Sequence, residues 1–178
     1  MQSKVEPTHA VVVCESMFGN TRAVAEAVAD SLARGFDRVD VFDVADAPST
    51  FEGISLLVVG APTHAFGMSR LSTRRAAVEQ GAGAATVRGV REWLADIAHT
   101  SAPIRAATFD TRVRKPLVPG SAARAVRRRL RRLGFDVFAP VSFGVTDTPG
   151  PLADGELDRA RQWAAALDVL ARPTTVST

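Results

Sequence analysis

The stretch AVVVCESMFGNTRAVAEAVADSL, residues 10–32, decides the fold. Its first five residues are apolar without alternation, which predicts a β-strand that is covered on both faces. Val24, Val28 and Leu32 recur every four residues, which predicts a helix that starts directly after a short turn. A strand that passes through a tight turn into a helix is the first part of a βαβ unit, so we expect an α/β sheet.

The rest of the chain repeats this alternation. Further short apolar runs predict strands at residues 39–44, 54–60, 104–109 and 137–143. Three stripes at helical spacing predict helices; they are Val87, Val90, Leu94 and Ile97, then Val126, Leu130 and Leu133, and finally Leu157, Ala160, Ala164 and Leu167. The connection 45–53 has room for one or two helical turns, and the long segment 61–85 is predicted to be a loop. This order of elements predicts a doubly wound, mostly parallel sheet with helices on both faces.

Length and composition indicate an ordinary globular chain. Of 178 residues, 46% are hydrophobic and 23% are charged, which excludes disordered and collagen-like classes. We expect one domain over residues 1–178 with flexible ends at about 1–7 and 173–178. We expect no membrane span, no signal peptide and a cytoplasmic location. The one cysteine, Cys14, is predicted to be a small buried thiol, and the three histidines show no spacing typical of metal ligands.

The turn from Ser16 to Thr21 is the first candidate site. It offers two hydroxyl groups, the Asn20 amide and a run of backbone N–H groups at the start of a helix, which together favour an anion. It contains no Lys, so it differs from a P-loop, and it lacks the three spaced glycines of the dinucleotide fingerprint. A monophosphate therefore fits this turn best. The structural alternative is that Asn20 or Thr21 only caps the helix.

The pattern S-x-x-G-N-T at residues 16–21 resembles the phosphate loop of the flavodoxins. The segment Gly60-Ala61-Pro62-Thr63-His64 is similar to the start of their first flavin-flanking loop, and residues 109–112 follow the predicted fourth strand where the second flanking loop would lie. The resemblance covers about residues 8–171. It implies a flavodoxin-like three-layer sandwich around a five-stranded parallel sheet of order 2-1-3-4-5. It also implies non-covalent FMN at the switch point.

Carried over onto this chain, the resemblance implies three groups of cofactor-binding residues. The phosphate would be held by Ser16, Met17, Phe18, Gly19, Asn20 and Thr21. One side of the isoalloxazine would be lined by Pro62, Thr63, His64, Ala65, Phe66 and Gly67. The other side would be lined by Phe109, Asp110, Thr111 and Arg112.

Three functions follow from the resemblance. An FMN-dependent electron-transfer protein that serves a redox partner protein is the first. A flavodoxin-fold oxidoreductase of the quinone reductase or protoporphyrinogen oxidase type is the second, and the long basic segment Met68–Ala85, which could cover the site, favours it. A flavin-free binding module is the third, and it is favoured by the absence of Tyr, since flavodoxins commonly stack Tyr on the flavin.

An arginine-rich helix follows the predicted fourth strand. Arg124, Arg127, Arg128 and Arg131 share one face opposite the apolar stripe of this helix. The face is either simply solvated or a docking surface for an acidic redox partner. Nucleic acid is an unlikely partner, because no aromatic residues are interleaved with the arginines. Trp93 and Trp163 are predicted to be packing residues within helices.

Overall fold

The computed structural model describes residues 8–64, 67–83, 88–101, 103–114 and 119–171. The ends that were expected to be flexible, about 1–7 and 173–178, lie outside these ranges. The elements in chain order are β1 (His9–Cys14), α1 (Asn20–Leu32), β2 (Arg38–Asp43), β3 (Leu56–Pro62), α2 (Leu71–Glu79), α3 (Val90–Asp96), β4 (Arg105–Val113), α4 (Ala122–Arg132), β5 (Asp136–Val137), β6 (Val141–Val145) and α5 (Glu156–Ala171).

The strands form one sheet in the order β2-β1-β3-β4-β5, with β6 also paired to β4. Every pairing is parallel. The predicted sheet order is therefore confirmed. Cys14 is in register with Gly60, and Gly60 with Phe109, so the carboxyl ends of β1, β3 and β4 lie side by side at one edge.

The fifth position of the sheet is shared by two short strands rather than by the single strand predicted at residues 137–143. Val137 is in register with Ala106, and Val141 is in register with Phe109. Three residues lie between Val137 and Val141 but only two between Ala106 and Phe109, so the edge segment has one extra residue. Pro140 lies in the break and has no N–H to donate to a ladder. The extra residue acts as a bulge that lets β6 continue along β4.

Helices cover both faces of the sheet. On one face α1 and α5 pack against a cluster that includes Val12, Val58 and Phe109. On the other face α3 and α4 pack against a cluster that includes Val59, Trp93 and Leu130. Trp93 is fully buried and Trp163 packs against the aromatic rings beneath α5, so the packing roles predicted for both are confirmed.

The segment 61–85 is not the loop that was predicted, because it contains α2. The buried residues of this helix are Arg74 and Ala77. Since neither is a large aliphatic residue, the sequence shows no apolar stripe there. The connection 45–53 holds turns and no helix.

Strand β4 is longer than predicted and ends at Val113 instead of Phe109. Asp110, Thr111 and Arg112 therefore lie in the strand and not in a loop after it. Side chains alternate between the two faces of a strand, so these residues point in different directions. The charged residues ended the apolar run in the sequence, although they continue the ladder with β3 and β6.

Candidate functional site

The loop between β1 and α1 presents a row of backbone N–H groups to solvent. Gly19 has a φ of 87°, a left-handed conformation that favours glycine, and its carbonyl accepts the first helical bond from Ala23 at 2.9 Å. Within the described ranges, none of the backbone N–H groups from Met17 to Thr21 has a protein acceptor. A helix N-terminus with free N–H groups favours an anion.

The structural alternative for this turn is wrong, because neither Asn20 nor Thr21 caps the helix. The Asn20 amide donates to the Pro149 carbonyl at 3.2 Å, and the Thr21 hydroxyl pairs with the Thr111 hydroxyl at 2.8 Å. The N-cap residue is Gly19, which supplies no side-chain bond, and the Oγ of Ser16 accepts from the N–H of Arg22 at 3.2 Å. The Asn20 and Thr21 side chains instead tie the loop to neighbouring strand ends.

A cavity of about 220 Å³ lies beside this loop. Residues from all three groups of predicted cofactor-binding residues line it, namely Ser16, Met17, Phe18, Asn20, Thr21, Pro62, Thr63, His64, Thr111 and Arg112. Val113, Val145 and Thr148 complete the wall. The structure thus brings together ten of the sixteen residues singled out in the sequence. We call this space the loop cavity.

Phe109 and Asp110, also predicted to bind the cofactor, do not line the loop cavity and have structural contacts instead. The ring of Phe109 is fully buried and packs edge-on against Phe143 at 5.8 Å between centroids. It also lies over Gly60, where any side chain would overlap it. The Asp110 carboxylate accepts hydrogen bonds at Oδ2 from the Ser121 hydroxyl at 2.6 Å and the Ala123 N–H at 3.0 Å, which fixes the start of α4.

The turn between β6 and α5 contributes wall residues that the sequence analysis missed. Val145 and Thr148 line the loop cavity, and the Pro149 carbonyl accepts from Asn20. The sequence does contain an indication of this turn, because the turn-forming segment TDTPG at 146–150 follows the last predicted strand. Since the carboxyl ends of parallel strands share one edge, this turn had to lie near the other three loops.

The end of β3 leads to His64, which pairs antiparallel with Gly67, and we call this backbone pair the 64–67 hairpin. His64 and Gly67 exchange both backbone hydrogen bonds, at 2.8 and 2.9 Å. Burial lowers the pKa of the His64 imidazole below its ordinary value, an effect that Glu15 opposes and Arg74 reinforces. The imidazole is therefore neutral at physiological pH. Ala65 and Phe66, also predicted to bind the cofactor, lie outside the described residues.

Comparisons with known proteins agree with this geometry. The family model described as Flavodoxin matches residues 12–88. A flavodoxin from the domain Archaea is 18% identical and superimposes with a TM-score of 0.63, covering 92% of this chain and 98% of its own. Oxidised Flavodoxin 1 from Bacillus cereus is 20% identical at a TM-score of 0.63, with 93% of this chain and 99% of its own covered.

The chain has a flavodoxin-like fold. The flavodiiron core of Flv1 from Synechocystis sp. PCC6803 matches at 15% identity and a TM-score of 0.58, covering 94% of this chain but 36% of its own. No curated protein sequence matches the chain significantly. In the part of this flavodoxin-like protein that the structure describes, no helix is long and apolar enough to cross a membrane.

A second and larger cavity lies on the other side of the 64–67 hairpin of this flavodoxin-like protein. It has a volume of about 860 Å³ and lies between α2, α3 and α4. Five arginines line it, namely Arg70, Arg91, Arg128, Arg129 and Arg132. We call this space the basic cleft. His64 lines both cavities, so it is part of the wall that they share.

A buried polar network joins the carboxyl end of β1 to α2 and α3. The Glu15 carboxylate accepts from the Ser69 hydroxyl and from the Val90 N–H at 2.8 Å. Arg74, which is fully buried, donates to Ser69 at 2.9 Å and forms an ion pair with Glu92 at 3.2 Å. Buried charges are tolerated when they are paired and hydrogen-bonded, as they are here.

The arginines predicted to share one face of α4 differ in exposure and in whether they line the basic cleft. Arg124 and Arg131 are exposed and do not line the basic cleft, whereas Arg128 is exposed and lines it. Arg127, predicted to belong to the exposed face, is half-buried. The apolar stripe on the opposite side of the helix is buried, as expected.

Proposed function

We propose that this flavodoxin-like protein binds FMN in the loop cavity, with the phosphate on the loop 16–21. The observation that carries the proposal is the row of unpaired N–H groups from Met17 to Thr21 at the start of α1. Neutral donors at a helix N-terminus suit a single phosphate group. Pro62, Thr63 and His64 on one side, with Thr111 and Arg112 on the other, would flank the isoalloxazine.

The proposed activity is electron transfer between redox partners. Bound FMN supplies one- and two-electron redox chemistry. The residues of this chain would hold the phosphate and orient the ring. An acidic redox partner protein would dock on the arginine-rich helix α4, where Arg124, Arg128 and Arg131 are exposed.

The experiment compares FMN with riboflavin, which has the same ring and no phosphate. Titration of the protein, followed by flavin fluorescence, should give much tighter binding for FMN. In Asn20→Asp, a carboxylate faces the phosphate dianion, and FMN affinity should fall at least about tenfold while riboflavin affinity stays unchanged. An acidic residue in the first turn is favourable to the helix itself, so the fold should persist.

Asn20→Ser is the matched control, because it also loses the bond to the Pro149 carbonyl but adds no charge. Its FMN affinity should stay close to that of the unchanged protein. Equal affinities for FMN and riboflavin would contradict the phosphate assignment. A chain that binds neither flavin would leave the flavin-free binding module as the better account.

The second candidate function is a flavodoxin-fold oxidoreductase of the quinone reductase or protoporphyrinogen oxidase type. The basic cleft favours it, since a second substrate could lie next to the hairpin that flanks the proposed flavin site. Steady-state turnover of a quinone with NADH or NADPH by the FMN-loaded protein would support this candidate over a carrier.

A further inference from the structure

The basic cleft brings together five arginines from three helices. Among the described residues that line the cleft, none is Asp or Glu. Arg70, Arg128, Arg129 and Arg132 form no ion pair within the described ranges. Elsewhere on the surface, Arg22 pairs with Glu26 at 2.8 Å and Arg161 with Asp158 at 2.8 Å. Within the described ranges Arg124 and Arg131, which lie outside the cleft, also form no ion pair, so the cleft is distinguished by the convergence of five arginines on one concave space.

One of the five arginines is held in place by the backbone. The guanidinium of Arg91 donates to the Met68 carbonyl at 2.9 Å and to the Ser69 carbonyl at 3.1 Å. Neutral carbonyl groups fix its position but leave its charge available. The cleft thus has at least one preorganised cation on α3, with Arg70 at the start of α2 and the other three on α4.

The shape of the cleft suits a small molecule with an apolar body. Its volume of about 860 Å³ falls in the range of pockets that bind small organic ligands. Met68, Leu94, Ala95 and Ala125 supply apolar wall between the arginines. Cations on three helices around apolar side chains fit a ligand with at least two anionic groups.

We propose that the basic cleft is a binding site for a small organic polyanion, with an apolar body and two or more carboxylate, phosphate or sulfonate groups. Because His64 and Gly67 line the cleft, the ligand lies against the hairpin and next to the loop cavity. Binding to the cleft does not require FMN. The ligand's access to a flavin rests on the proposed function.

The experiment uses naphthalene-2,6-disulfonate as the probe and naphthalene-2,6-diol as its uncharged match. Calorimetric titration of the FMN-loaded protein at an ionic strength of about 0.15 M should give saturable binding of one disulfonate and at least about tenfold weaker binding of the diol. In the double variant Arg128→Gln/Arg132→Gln, the disulfonate affinity should fall at least about tenfold.

The double variant Arg124→Gln/Arg131→Gln is the matched control. It makes the same change of charge on the same helix, at exposed positions that do not line the cleft. Its disulfonate affinity should change by less than about threefold, since exposed side chains outside the cleft make no contact with the ligand and their charges are largely screened at this ionic strength. Equal losses in the two double variants would overturn the proposal in favour of general attraction to a basic surface, the face that an acidic protein partner would use.

Two other results would overturn the proposal. If the disulfonate displaced FMN, the anion site would be the loop 16–21 and not the cleft. If the disulfonate did not bind, or bound no better than the diol, the arginines would be a solvated face. The titration is repeated without added FMN. If the protein fails to bind FMN but still binds the disulfonate, and the Arg128→Gln/Arg132→Gln variant still weakens that binding, only the proposed function is overturned.

Discussion

Cys14 lies at the end of β1, directly before the proposed phosphate loop, yet its thiol is fully buried. Burial raises its pKa to about 11, an effect that the charge of Arg22 only partly offsets. Because the thiolate is the reactive form, Cys14 should be inert in the native protein. We expect iodoacetamide to leave it unmodified at mildly alkaline pH and to alkylate it once guanidinium unfolds the chain, as followed by mass spectrometry. Rapid alkylation of the folded protein would contradict this account.

At the residue scale, the sequence predicted positions along the chain better than the direction of each side chain. Thr111 and Arg112 line the loop cavity, whereas their neighbours Phe109 and Asp110 are buried in contacts with the core and with α4. The side chains point in different directions because β4 continues for four residues beyond the apolar run that ends at Phe109. Charged residues in a strand end an apolar run, so the alternation that decides each direction was not visible.

Glu156, the first residue of helix α5, is hydrogen-bonded to strand β6. The Glu156 carboxylate is almost fully buried and accepts from Arg114 at 2.6 Å, from Arg159 at 2.5 Å and from the Gly144 N–H at 3.0 Å. Burial by itself would raise the pKa of Glu156, but these donors and the charges of both arginines lower it below its ordinary value of 4.5. The ionised carboxylate therefore stabilises the fold.

Replacement of Glu156 by Gln should lower the free energy of unfolding at neutral pH by roughly 1 to 3 kcal/mol. The contribution of Glu156 is present above the ordinary carboxyl pKa and is lost as the pH falls through the lowered folded-state pKa. The difference between the two proteins in urea unfolding should therefore shrink in acid. Asp158→Asn on the same helix removes an exposed ion pair and should cost no more than roughly 0.5 kcal/mol. A Glu156→Gln loss that is the same at all pH values would contradict the ionic account.

At the element scale, the helices with aliphatic stripes were predicted and α2 was not. Helices α1, α4 and α5 bury Val, Leu and Ala at helical spacing. Helix α2 buries Arg74, which is satisfied by Ser69 and Glu92, and such a partnership between distant residues leaves no periodic trace. The break in the edge strand has a visible cause in Pro140, although the sequence alone did not show that β6 would resume the ladder.

The whole molecule should be steered by charge when it meets a redox partner. Its net charge is only +3, but six arginines lie on α4 within residues 122–132. For the FMN-loaded, reduced protein we expect electron transfer to an acidic cytochrome to slow as ionic strength rises, and transfer to a basic cytochrome of similar size and potential to change little or to speed up. Stopped-flow absorbance measures both rates. Identical salt dependence with the two acceptors would assign the arginines to a solvated face.

At the scale of the whole molecule, the topology could be predicted because it depends on element order and on the handedness of the crossovers. The loop cavity could be predicted in outline, since three of its walls follow strand ends at one edge of the sheet. The basic cleft could not be predicted. Its arginines come from three helices, one of which the sequence did not reveal, and their unpaired state depends on where every carboxylate lies.

His64 lines both cavities, and this shared wall residue has a thermodynamic consequence. If a ligand in one cavity moves or stiffens the hairpin, the affinity of the other cavity changes, and the second ligand must affect the first by the same factor. The two cavities would then act as one cooperative unit, although no residue except His64 lines both of them in the part of the chain that the structure describes. Positive cooperativity would mean that a ligand in one cavity favours binding in the other, and negative cooperativity would mean that it opposes such binding.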